Sequence, residues 1–179
     1  MKIAVKPGKL RTLALLAAAS ALPGIGSARA QTQTVTSDIT YVTLAPVTFS
    51  TIADPDFGHV RQGLAAHYVL STAGTVTSPD GGVPEGGITH AGHYKIFGSA
   101  TQQIGISAAG GYSTDGGSTT SAATCTYDAG ALGVDCTGNA LAPPNSGKDL
   151  LVGLTIASAG TTADGIADHP TVTITVVYQ

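Results

Sequence analysis

Between residues 47 and 178 short runs of alternating apolar and polar residues are interrupted by Gly, Pro and Asp roughly every eight to twelve residues. Val47-Thr48-Phe49-Ser50-Thr51-Ile52 alternates cleanly and stops at Ala53-Asp54-Pro55-Asp56. Further strands are predicted over residues 67–71, 74–77, 91–99, 103–107, 150–156 and 171–178, with a turn at 78–82 and another at Pro143-Pro144-Asn145-Ser146-Gly147. Residues 127–134 read as strand, turn, strand. Two Gly/Ser/Thr stretches, 110–120 and 157–164, read as loops, and residues 35–44 form a β-prone run of weak period. No stretch after residue 30 carries a helical period, so the pattern predicts an all-β sandwich or barrel in a single domain, residues 31–179. Neither an internal repeat nor a linker divides it.

The first thirty residues differ in kind. Lys2, Lys6, Lys9 and Arg11 precede an apolar run, residues 13–22, which Pro23 and Gly24 end, and Ala28-Arg29-Ala30 offers small residues at the two positions a signal peptidase reads. A membrane anchor is the competing reading, but the run is about ten residues where a spanning helix needs about twenty. Residues 1–30 are therefore expected to be an N-terminal signal helix, cleaved to leave Gln31 first. The expected location is the periplasm, then the cell surface or an extracellular fibre, with no transmembrane segment in the mature chain. Cleavage would leave Arg61, Lys95 and Lys148 against all 11 acidic residues, a net charge of −8 in place of −3. Three scattered cations suit neither nucleic acid nor an anionic membrane surface.

Cys125 and Cys136 flank the predicted strand–turn–strand. A bridge between them fits an oxidising compartment and would contribute about 2–3 kcal/mol by closing a short loop. Two free thiols are the alternative. Zinc lacks further cysteines nearby. Other candidate chemistry is sparse. Asp54-x-Asp56 and Asp164…Asp168 lack the oxygen density of a calcium loop and read as turn caps. His90 and His93 form an H-x-x-H, which on a strand places them on opposite faces. His59, His67 and His169 are isolated. No nucleophile elbow, phosphate loop or dinucleotide fingerprint is present, so no catalytic residue, metal or cofactor is expected.

The two ends are more telling. Val172, Ile174, Val176 and Tyr178 alternate along the last strand, with the aromatic penultimate. Such a strand is either an ordinary terminal strand or one that pairs with a partner's exposed edge, its side chains filling successive pockets. Near the other end, Val35, Ile39 and Tyr41 share a strand face, with Val42 and Leu44 on the other. Residues 31–44 read either as a donor strand for a neighbouring subunit or as a first strand folded onto its own domain.

With Asp56-Phe57-Gly58, Tyr94-Lys95-Ile96-Phe97-Gly98, Ile104-Gly105-Ile106, Leu151-Val152-Gly153-Leu154 and the terminal run from Thr171 to Tyr178, the chain resembles secreted bacterial domains known as domain of unknown function 4402. Its ending is also similar to spore-coat-protein-U type subunits and chaperone–usher pilins. The resemblance covers roughly residues 39–179. It implies an immunoglobulin-like (pilin-like) antiparallel β-sandwich, often incomplete by one strand. It implies as partners a periplasmic chaperone that lends a strand, an outer-membrane usher, and copies of the chain itself or related subunits. Many pilins bridge an early strand to the next, whereas both cysteines here lie in the second half. The expected function is a structural subunit of a surface fibre or coat. The alternative is a self-contained secreted sandwich acting as an adhesin or ligand-binding module, though the chain has no Trp and few other aromatics for a carbohydrate site.

Overall fold

The computed structural model describes residues 42–111 and 116–179, and the expected signal segment and the candidate donor residues Val35, Ile39 and Tyr41 lie outside them. In chain order the strands are β1 (Thr48–Ala53), β2 (His59–Val60), β3 (Ala66–Leu70), β4 (Val76–Thr77), β5 (Pro84–Gly86), β6 (Gly92–Phe97), β7 (Ile104–Gly110), β8 (Thr119–Tyr127), β9 (Gly130–Ala131), β10 (Gly138–Leu141), β11 (Lys148–Ser158) and β12 (Val172–Tyr178). A 3-10 turn, Val134–Cys136, separates β9 from β10, and no α-helix occurs among the described residues. All strand pairing is antiparallel, as the alternation predicts.

The large sheet is organised around β11. On one side β11 pairs with β8 along most of its length; on the other it pairs with β6 through residues 148–152 and with β3 through 154–158. β1 extends the sheet beyond β6, β4 beyond β3 and β9 beyond β8. The small sheet has the order β10-β7-β12. Alternation then decides the core, because every second side chain of a strand faces the opposite sheet. Leu150, Val152 and Leu154 of β11, Ile96 of β6, and Ala123, Cys125 and Tyr127 of β8 meet Ile104 and Ile106 of β7 in one buried cluster. From the small sheet's other strands Leu141, Val172, Ile174, Val176 and Tyr178 pack against it, making the two layers a sandwich. β2 and β5 form a separate small ribbon, joined by the Arg61–Glu85 ion pair at 2.6 Å.

Several expectations need correction. β7 runs to Gly110 and β8 begins at Thr119, so strand enters the predicted loop over 110–120 by one residue at its start and two at its end. β8 escaped notice because its register shifts between Thr155 and Ile156 of β11, leaving Ser121 unpaired. Thr120 lies inside on one side of that bulge and Ala123, Cys125 and Tyr127 on the other, so the period of two is broken. β11 likewise runs through Ser158, into the predicted loop at 157–164. Cys125 and Cys136 do form the disulfide, but Cys136 lies on the 3-10 turn and not on a second strand. Within the run at 35–44, the described residues Val42 and Leu44 are exposed and outside any strand; the first strand among the described residues starts at Thr48.

Within residues 127–134, Asp128 and Ala129 form a two-residue hairpin loop between Tyr127 and Gly130, with φ of 50° and 65°. Both residues need the left-handed region that the right-handed twist of the strands demands. At the other end of the sandwich the penultimate aromatic is tied down. The Ser99 amide donates to Tyr178 Oη at 2.7 Å, and Tyr178 Oη donates to the Ala45 carbonyl at 2.5 Å. One phenol thus fastens the segment before β1 and the β6–β7 connection to the last strand. Gly98 makes room for it: a Cβ there would lie 2.5 Å from Tyr178 Oη.

That arrangement predicts a coupled pair of substitutions. Tyr178→Phe should lower stability by about 1–3 kcal/mol, because it strands an amide and a carbonyl at a partly buried site. Gly98→Ala should cost about 1–3 kcal/mol alone through overpacking. In the Tyr178→Phe background its cost should fall, since the ring carbon Cζ would be 3.5 Å away, while Pro144 Cγ at 3.0 Å keeps part of it. Urea unfolding of the four chains measures this, and additive costs would rule out the lock.

Candidate functional site

β1 is the last strand on its side of the large sheet, and β12 is the last strand of the small one. Phe49 pairs with Ile96 and Thr51 with Tyr94, so both β1 side chains point to the same face as the core residue Ile96. Ile96 is fully buried, but Phe49 remains 46% exposed. The cause is geometric. The small sheet ends at β12, and no strand among the described residues continues it over β1. A cleft of about 220 Å³ results, lined by Phe49, Thr51 and Tyr94 from one sheet and by Val172 and Ile174 from the other. Burial, and next the negative charge of Asp54, push the Tyr94 phenol above its ordinary pKa, so it stays a neutral hydroxyl in the cleft wall.

The strands flanking this cleft are chemically unguarded. β1 reads Thr-Phe-Ser-Thr-Ile-Ala and β12 reads Val-Thr-Ile-Thr-Val-Val-Tyr, with no charge and no proline, and the one irregularity is a register shift at Ile52 near the end of β1. Natural sheets blunt free edges with charges, proline, bulges or very short strands. The other edges of this molecule are blunted. Beside β3, the short β4 pairs only with Val69 and Leu70. The neighbouring free amide, of His67, donates to Asp80 Oδ1 at 2.9 Å and Oδ2 at 3.0 Å. His67 Nδ1 donates to the same carboxylate at 2.6 Å, because an ionised carboxylate only accepts. Beside β8 stand β9 and the disulfide-bonded turn, while β10 is only 4 residues long with Ala140 at a φ of 52°.

The four residues singled out on the last strand, Val172, Ile174, Val176 and Tyr178, face the chain's own core and pair through β7, while the opposite edge of β12 carries no strand. The structure brings Val172 and Ile174 together with Phe49, Thr51 and Tyr94. Sequence reasoning missed these three as site residues. An apolar residue on an alternating strand looks the same whether the opposing sheet covers it or stops short.

The histidines and aspartates do not converge. His90 exchanges backbone hydrogen bonds with Asp56, whose Oδ1 accepts from the Gly58 amide at 2.8 Å, whereas His93 Nε2 donates to Asp149 Oδ1 at 3.1 Å. Thr162 donates to Asp168 Oδ2 at 3.4 Å. Among the described residues no group of three or more His, Cys, Asp or Glu is placed to hold a metal ion. Arg61, Lys95 and Lys148 each sit beside a carboxylate, of Glu85, Asp149 and Asp128. No helix among the described residues is long and apolar enough to cross a membrane.

The Asp80 clamp predicts a pH dependence. Its carboxyl is held below its ordinary pKa, first by the hydrogen bond from the His67 side chain and then by that from the His67 amide. A depressed carboxyl contributes stability above its unfolded pKa of about 4 and loses it as pH falls through the folded value. Asp80→Asn should therefore be less stable than the parent chain at neutral pH, and the gap should close as pH falls below the unfolded value of about 4. Chemical denaturation across that range checks it; a gap independent of pH would contradict the clamp.

No family model matches the chain, and no curated protein or solved structure is significantly similar to it.

Proposed function

We propose that this chain is a structural subunit of a surface fibre or coat, and that its open seam accepts a β-strand from another chain. The observation that carries this reading is Phe49: an inward-facing aromatic on an edge strand, left 46% exposed where the opposing sheet stops one strand short. A strand laid along the free edge of β12 would continue the small sheet over Phe49, Thr51 and Tyr94. It would gain backbone hydrogen bonds, each worth about 0.5–1.5 kcal/mol net. Each apolar side chain fully buried in the cleft would add about 1.5–3 kcal/mol. The absence of ionic groups on β1 and β12 favours a donor whose inward positions are uncharged, such as Val35, Ile39 and Tyr41 of a second copy, with Asp38 at an alternate, outward position.

On this reading the exported chain would first receive a strand from a periplasmic chaperone and then, at an outer-membrane usher, exchange it for the donor strand of the next subunit. The resemblance to pilin-type domains supports that sequence of partners, as does the Cys125–Cys136 disulfide, which fits an oxidising compartment.

The mature full-length chain should run as a ladder on an unboiled denaturing gel and collapse to one band on boiling, because strand-exchanged contacts resist denaturant kinetically. A chain lacking residues 31–44 should lose the ladder yet bind a synthetic peptide of residues 35–44. Ile174→Lys, placed in the cleft, should abolish that binding while leaving the far-ultraviolet spectrum intact. A monomer on unboiled gels, together with no peptide binding by the shortened chain, would refute the proposal.

A further inference from the structure

Among the described residues the sandwich has two long seams, one open and one filled. The second lies between β8 of the large sheet and the β10–β7 side of the small sheet. The 3-10 turn Val134–Cys136 packs on both β8 and β7 and fills it. Cys136 is fully buried there within the core cluster, whereas Val134 beside it is 82% exposed. Apart from that one side chain and the partly buried Leu132, little apolar surface holds the segment in place.

The segment also occupies the outward edge of β8. The Leu132 amide donates to the Cys125 carbonyl at 2.9 Å, and the Ala123 amide donates to Asp135 Oδ1 at 3.5 Å. Its own backbone is strained to do so. Asp135 and Cys136 take positive φ values of 52° and 57°, a region that non-glycine residues adopt at a cost. A weakly anchored, strained segment stays on a strand edge only if something over-determines its position, and the Cys125–Cys136 disulfide is the covalent tie between that edge and the segment.

We propose that this disulfide acts as an edge guard: it pins residues 132–137 over β8, so that the subunit presents one strand-accepting edge, β12, and not two. The direction-setting role rests on the strand-acceptor reading above; the pinning of the β8 edge does not. A structural subunit with two open seams would branch or aggregate, whereas one with a single acceptor polymerises head to tail.

The test uses the mature full chain and its Cys125→Ala/Cys136→Ala variant, compared by native-state hydrogen exchange. In the variant the Ala123 and Leu132 amides should exchange about a hundredfold faster, while amides of β12 and of central β11 keep their relative protection. Unchanged protection at Ala123 and Leu132 would overturn the proposal, and so would a uniform acceleration everywhere, which marks a merely global staple. If the double variant fails to fold, Asp135→Ala with the disulfide intact replaces it, and acceleration confined to Ala123 and its neighbours by about tenfold is then expected. No local acceleration would overturn the proposal. A second arm counts bound copies of the 35–44 peptide on chains lacking residues 31–44: one for the disulfide-bonded chain and two for the cysteine-free chain. Equal non-zero binding would refute the direction-setting role. No binding to either would refute the strand-acceptor reading and that role with it, leaving the exchange result to decide the pinning alone.

Discussion

Leu150, Val152 and Leu154 hold this molecule together, because β11 is the one described strand that pairs with three others and it faces the small sheet at its centre. A sandwich core needs cover from both sides, and here the two covers are unequal. The large sheet spreads from β1 to β9, while the small sheet offers only β10, β7 and β12. The central strands find full cover. The mismatch has to emerge at the margins, and the two margins are treated differently.

At the β8 margin a disulfide and a short turn take the place of a missing strand. Cys136 and Leu132 supply apolar cover, and Asp135 supplies an acceptor for a free edge amide. At the β1 margin nothing comparable stands among the described residues. Phe49 and Ile174 line the same open cleft. Exposed apolar surface bounded by an unpaired strand edge is costly for an isolated chain in water, and it is the surface a partner strand would use. The proposed role as a polymerising subunit gives both margins one physical explanation: the guarded edge keeps partners off, and the open one lets them on.

Much of the strand plan was legible from residues alone. The runs at β1, β3, β6, β11 and β12 carry period-two alternation, and the turns between them carry Pro, Gly, Asn and Asp where the backbone needs them. β8 was not legible, because its small residues Thr, Ser and Ala give weak contrast and a bulge shifts its inward set from Thr120 to Ala123. The end of the disulfide on a turn was illegible for a related reason. Asp135 and Cys136 adopt left-handed backbone that their residue types do not announce. The cleft residues Phe49, Thr51 and Tyr94 were read as strand residues, but not as a site.

The sequence by itself determined the local variables: where strands start and stop, which side chains share a face, and that Cys125 and Cys136 lie close enough along the chain to bridge. These follow from alternation and turn chemistry over a few residues. Only the tertiary structure decided which of the matching faces is covered. Phe49 and Ile96 sit on the same face of paired strands, yet one is half exposed and the other fully buried. The difference depends on how far the opposite sheet extends, which is fixed by strands distant in sequence and leaves no mark on the residues it covers or leaves bare.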